Sequence, residues 1–173
     1  MRFDQYIAVA TASLASTALG AKCTANKVID NFATFANKTN TLQSVSGDDN
    51  SMTSISASGS TLTFTPKAGS YFYENFPCTN AAADSYNALS FTLSGPAQAS
   101  FLIELQSRAN CEATSYKSAY HNVTVPATAG AVTIPLNEFA NASLTAITSF
   151  TWSTFTKTGS PYSISNIQLV CAK

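Results

Sequence analysis

Apolar and polar residues alternate with a period of two along most of the chain. "STLTFTP" places Leu62 and Phe64 on one face. "ALSFTLSG" sets Leu89, Phe91 and Leu93 against Ser90 and Thr92, and "SFLIELQS" sets Phe101, Ile103 and Leu105 against Leu102, Glu104 and Gln106. The same rhythm pairs Val123 with Val125, groups Val132, Ile134 and Leu136, and joins Phe150 to Trp152. In "SISNIQLVC" it runs through Ile164, then Ile167, Leu169 and Cys171, so an irregularity is predicted at Asn166. Turn formers separate the runs: Gly47 to Asn50, Gly59, Gly95-Pro96, Gly130 and Gly159 to Pro161. Many short strands at this spacing predict an all-β fold, a two-sheet β-sandwich. One helical turn fits "LNEFANASLTAI", with Asn137 as its cap. The Ser/Thr-rich stretch 44–60 reads as loops plus a short strand. No repeat or boundary interrupts residues 21–173, which form a single domain in this reading.

Residues 70–78, "SYFYENFPC", allow two faces. One register sends Phe72, Glu74 and Phe76 inward. That buries a carboxyl, at a cost of several kcal/mol unless it is paired. The other buries Tyr71 and Tyr73 and presents Glu74 on an open face. Alternation leaves both available. In either case amphipathic rings and an acid share one strand. Rings can stack on the apolar faces of sugars, and Glu, Gln and Asn can bond hydroxyls. Tyr71, Tyr73, Glu74, Glu104 and Gln106 are therefore the candidate carbohydrate-binding residues. Trp152, the single tryptophan, is assigned to the core.

Charge narrows the choice of partner. Charged residues make up 10% of the sequence and the formal net charge is zero. No basic run exists to hold nucleic acid or an anionic membrane surface, and a monomer is expected. Residues 1–20 carry Arg2, a small-residue apolar run and "ALG" before Ala21, the features of a secretory signal peptide. Four cysteines then remain, which in a secreted chain read as two disulfides with three connectivities. Cys23–Cys171 and Cys78–Cys111 are the favoured pairs, the first joining the ends of the mature chain. Zinc is disfavoured, since no Cys-x-x-Cys spacing occurs and His121 is the only histidine. Asn37, Asn122 and Asn141 head N-x-S/T sequons, so each is a candidate glycosylation site. The expected location is extracellular or cell-wall associated.

Catalytic chemistry finds little support. A serine triad would rest on His121 alone, and no G-x-S-x-G motif is present. Glycoside hydrolysis needs two carboxylates, for which Glu74 and Glu104 are the candidates. No cofactor is required, although Asp30, Asp48 and Asp49 are candidate ligands for a structural calcium ion.

The ordered set "VIDNF", "NTLQSVSGDDNSM", "YFYENFPC", "LSFTLSGPAQASFLIELQSRANC", "VTIPLNEF", "LTAITSFTWSTF" and "YSISNIQLVC" resembles fungal secreted β-sandwich domains found alone or beside polysaccharide deacetylases. "IDNF", "IPLNEF" and "ISNIQL" resemble galactose-binding-like carbohydrate-binding modules. The resemblance covers nearly the whole mature chain. It implies a jelly roll that binds glycans on a sheet face or at loop tips, with calcium near "IDNF". "NTLQS" departs from the pattern, in which a glycine tends to follow the leucine. The sequence also holds no deacetylase domain. The reading is a secreted, non-catalytic polysaccharide-binding protein. Its rivals are a small glycan hydrolase or lyase using Glu74 and Glu104, and a structural or host-interaction protein without a sugar ligand.

Overall fold

The computed structural model describes residues 23–171, so the signal peptide expected over residues 1–20 lies outside the described residues. Among the described residues the strands are β1 (Lys27–Asp30), β2 (Ser46–Gly47), β3 (Ser54–Ser58), β4 (Thr61–Thr65), β5 (Tyr71–Thr79), β6 (Tyr86–Ser94), β7 (Ser100–Arg108), β8 (Tyr116–Thr124), β9 (Gly130–Pro135), β10 (Ile147–Ser153) and β11 (Tyr162–Cys171). A six-stranded sheet runs β3-β4-β11-β6-β9, with β1 also paired to β11. A five-stranded sheet runs β2-β5-β10-β7-β8. The predicted two-sheet β-sandwich is the fold that forms.

The alternating residues explain how the sheets face each other. Leu62, Phe64, Leu89, Phe91, Leu93, Ile164, Ile167 and Leu169 are buried from one side, and Phe72, Phe101, Ile103, Leu105, Phe150 and Trp152 from the other. Each such side chain contributes about 1.5–3 kcal/mol by leaving water. Trp152 lies at the centre of this layer, as expected. Its ring centroid is 5.4 Å from that of Phe72 and 5.8 Å from that of Phe91, the latter edge-on at 84°. Its indole Nε1 has no acceptor, so shape and apolar area hold it there.

β11 is the structural hub. Its first half pairs with β4, from Tyr162↔Phe64 to Ser165↔Thr61, and its second half pairs with β1, from Ile167↔Asp30 to Leu169↔Lys27. β6 flanks its other edge. The change of partner occurs at Asn166, whose φ of 55° breaks the register between Ser165 and Gln168. Asn tolerates this left-handed conformation better than most residues, and the predicted irregularity is this bulge.

Two local expectations are corrected. The helical turn is a 3-10 turn over Leu136–Glu138 with Pro135 at its N-cap, so Asn137 lies inside it and caps nothing. Proline fits there because its ring fixes φ close to the −55° found at this position. The 44–60 stretch holds two strands, β2 and β3, rather than one.

Gly95 marks a close approach. A Cβ built on it would stand 2.7 Å from Cδ1 of Tyr162. That ring cannot easily retreat. It is fully buried, lies parallel to Phe64 at 5.7 Å and 5°, and its hydroxyl donates to the Lys157 carbonyl at 2.9 Å. Gly95→Ala is expected to cost about 1–3 kcal/mol, read as a lower Tm in a thermal melt.

Both favoured disulfides are present, Cys23–Cys171 and Cys78–Cys111. Their sequence separations of 148 and 33 residues differ widely. Chain-entropy arguments assign them roughly 5 and 3–4 kcal/mol.

Candidate functional site

In β5 the core wins Phe72, Glu74 and Phe76, all buried, so Tyr71, Tyr73 and Asn75 point outward from the five-stranded sheet. Register then defines rows of side chains across that outer face. One row reads Gly47, Tyr73, Thr151, Glu104, Tyr120 from β2 to β8. A second reads Asn75, Ser149, Gln106, Ser118, and a third Tyr71, Ser153, Leu102, Asn122. Beyond the second row, Arg108 stands opposite Tyr116.

Side-chain size gives this face its relief. In regular register β10 contributes the short side chains of Ser149, Thr151 and Ser153 to it. Longer groups flank that floor: Tyr71 and Tyr73 on one side, Leu102, Glu104 and Gln106 on the other. By side-chain length the face is lowest over the Thr151 and Ser153 hydroxyls, with Ser149 buried beneath its neighbours. Across it, Tyr73 and Tyr120 are three strand spacings apart, about 14 Å. Tyr120 is 54% exposed and Tyr116 59%, values unusual for rings of this size.

The tyrosine pair on β5 is held in place by Asp49. Tyr71 donates to Asp49 Oδ2 at 2.9 Å and Tyr73 to Oδ1 at 3.0 Å. Their ring centroids are 6.3 Å apart at 32°. The Gly47–Ser51 turn aims the carboxylate. Asp49 and Asn50 have φ of 49° and 61°, and Asp48 Oδ2 accepts the Met52 N–H at 3.0 Å. The Ser51 hydroxyl ties the turn to β5, donating to the Tyr71 carbonyl at 2.9 Å. Burial, then the Asp49 bond, pushes the Tyr73 phenol up to about 12, and the Asp49 bond raises Tyr71. Both hydroxyls therefore keep their protons at any physiological pH.

Glu104 also lies on this face. Its Oε1 accepts from Gln106 Nε2 at 3.1 Å and, by a short bond, from the Ser118 hydroxyl. These partners fix the carboxylate on the surface.

Glu74 does not belong to the face. It is fully buried, where the sequence reading had it bind a ligand. Phe72 and Phe76 are more apolar than Tyr71 and Tyr73, and their burial drags Glu74 inward. Ser46 donates to its Oε1 at 2.9 Å and Asn40 to its Oε2 at 3.0 Å. Desolvation first, and then the charge of Asp30, raise its pKa well above the carboxylate range. Desolvation likewise raises Asp30. Asp30 Oδ1 accepts the Phe32 N–H at 2.8 Å, while Oδ2 has no donor. The two carboxyls face each other, and a proton on Glu74 would spare the pair the repulsion of two buried charges.

This placement removes two further expectations. Glu74 lies in register with buried Phe150 and Glu104 with outward Thr151, so the carboxylates point to opposite faces and cannot flank one glycosidic bond. The calcium set is not assembled either. Among the described residues no three acidic, His or Cys side chains form a metal-binding group. Asp30 faces Glu74, Asp48 caps a backbone N–H, and both oxygens of Asp49 hold phenols. Those residues do not fit a calcium ion.

Tyr116, Tyr120, Asp49 and Arg108 were missed as features of this face. A signal existed for the tyrosines: "YKSAYHN" puts Tyr116, Ser118, Tyr120 and Asn122 in alternation. It is faint because the other face of β8 carries Lys117, Ala119 and His121, with little apolar contrast. All three sequon asparagines are exposed, and Asn122 projects from the outer face itself.

No family model matches the sequence, and no curated protein matches it significantly. Solved structures do. The family 11 carbohydrate-binding module of Clostridium thermocellum, in complex with a β-1,3-1,4-mixed-linked tetrasaccharide, matches with a TM-score of 0.59 at 15% identity, over 86% of this chain and 96% of that one. The family 30 module of a cellulosomal cellulase from the same organism gives 0.55 at 13%, over 74% and 92%. At these identities the likeness is one of fold: this chain shares its β-sandwich with carbohydrate-binding modules.

Proposed function

We propose that the protein is a secreted, non-catalytic carbohydrate-binding module that takes a polysaccharide on the outer face of its five-stranded sheet. The row Tyr73, Thr151, Glu104, Tyr120 carries the reading. It offers rings at both ends and hydroxyl, carboxylate and, from Gln106, amide groups between them. Rings give apolar area to sugar faces, and fixed polar groups give orientation. About 14 Å suits several sugar units rather than one. The shared fold supports a binding role, and the separation of Glu74 from Glu104 speaks against turnover by that pair. Two disulfides fit an oxidising, extracellular location.

The test is retention of the purified mature protein on insoluble chitin, chitosan, β-1,3-glucan, mixed-linked glucan and mannan, with supernatants assayed for released sugar. Retention on at least one polymer without release is expected. Released sugar would make the protein an enzyme. Absence of both would return it to a structural or interaction role. If Asn122 carries a glycan, removing it should tighten retention, since that residue borders Tyr120 on the same face.

A further inference from the structure

At one end of this face β10 carries an extra residue. Against β7, Thr148 is the extra residue between Ile147 and Ser149, while against β5 the excess lies on the partner, where Phe76, Pro77 and Cys78 oppose Thr148 alone. Bulges pry strands apart locally and often adjoin binding sites. Here the opening is a hollow of about 270 Å³, lined by Asn75, Gln106, Arg108, Thr148 and Ser149 beside Phe76 and Cys78. Amide, hydroxyl and guanidinium groups dominate its wall.

Arg108 is the unusual member. Its Nε is buried and has no hydrogen-bond partner. Among the described residues no carboxylate lies within 4.0 Å of the guanidinium nitrogens, the one such contact in the fold being His121 with Glu138 at 3.3 Å. A buried, unmatched N–H on a cation costs free energy unless something accepts from it. Arginine presents a planar fork of donors suited to oxyanions. Glu104 lies four residues away along β7, about 13 Å between backbones, and its carboxylate is held by Gln106 and Ser118 rather than by Arg108.

We infer that this hollow is an oxyanion subsite, and that the glycan held by the sheet carries a carboxylate or sulfate group that docks on Arg108. The inference rests on the reading of this face as a glycan platform, and names the class of glycan. The acid group would accept from the guanidinium, with Asn75 and Gln106 amides and Ser149 and Thr148 hydroxyls around it. The sugar ring that bears it would lie toward the Asn75, Ser149, Gln106, Ser118 row, one step from Tyr73 and Tyr120.

The experiment follows the Arg108 Nε–H signal by ¹⁵N NMR. The sequence has one other arginine, Arg2, and R108Q identifies the signal by its loss. Galacturonate, galactose 6-sulfate, galactose and the methyl ester of galacturonate are titrated in turn. A saturating shift with an acid sugar and none with the neutral pair is expected, and the two acids tell carboxylate from sulfate. In parallel, wild type, R108Q and R108K are compared on polygalacturonate and its methyl ester by affinity electrophoresis. R108Q should lose roughly tenfold in affinity for the acidic polymer, with R108K in between, and no change on any neutral polymer retained. Equal shifts from acid and neutral sugars, or no shift, would overturn the subsite while leaving neutral retention intact. An acid-specific shift without retention of any polymer would keep the subsite and sink the platform.

Discussion

Replacing Tyr73 and Tyr120 together by alanine is expected to weaken retention on polysaccharide by roughly a hundredfold, with the fold preserved. The two rings stand at the ends of the row from β5 to β8. Aromatic anchors typically cost more than 1 kcal/mol each on truncation, and 1.4 kcal/mol is tenfold in affinity. Tyr120→Ala is the cleaner half. Its ring is 54% exposed, so its loss should move stability by no more than about 0.5 kcal/mol. Tyr73→Ala also breaks a bond to Asp49 and frees Tyr71 on one side. Asp49→Ala should then loosen both rings and weaken retention without touching either. Depletion isotherms on the retained polymer, set beside thermal melts, separate the two effects. Parallel falls in Tm and affinity would mean that the rings serve the fold.

A second large effect concerns pH. The folded protein holds a proton on Glu74 well above the usual carboxylate range, because burial and the charge of Asp30 disfavour ionisation. In the unfolded chain Glu74 titrates near ~4.3. Between those values the folded state binds more protons than the unfolded one, so this site's contribution to stability falls as pH rises. It is fully present below about pH 4 and lost as pH climbs through the folded value. Glu74→Gln cannot ionise, and its amide can still face Asn40, Ser46 and Asp30. The variant should gain stability at pH 8, with a Tm higher by about 2–8 °C, and show a flatter pH profile than wild type. Melts from pH 4 to 9 provide the check. Parallel profiles for the two proteins would show that the proton sits elsewhere.

The strands were legible because alternation is a direct image of a surface with one dry face. Asn166 was legible because the apolar period slips there by one residue. Glu74 was not, since alternation fixes which residues share a face but not which face is inside. That choice was made by Phe72 and Phe76 and then secured by Asn40, Ser46 and Asp30, residues from three other segments. Asp49 was read as a metal ligand because acid in a turn is ambiguous. Only the approach of Tyr71 and Tyr73 shows what it does. Tyr120 and Tyr116 became visible once register set them across from Glu104 and Arg108. Site residues on a sheet face belong to rows that run across strands, and no linear window contains a row.

The position of β11 has a consequence for biogenesis. It bonds to β4, β1 and β6, yet it follows all three in the chain. Until it emerges, the six-stranded sheet exists only as the pairs β3–β4 and β6–β9. Such non-local closure is slow relative to hairpin formation. Both partners of the Cys78–Cys111 bridge precede β11 in the chain, whereas Cys171 is the end of β11 itself. The middle bridge is therefore expected to close first, and the Cys23–Cys171 bridge to close late and hold β11 in place.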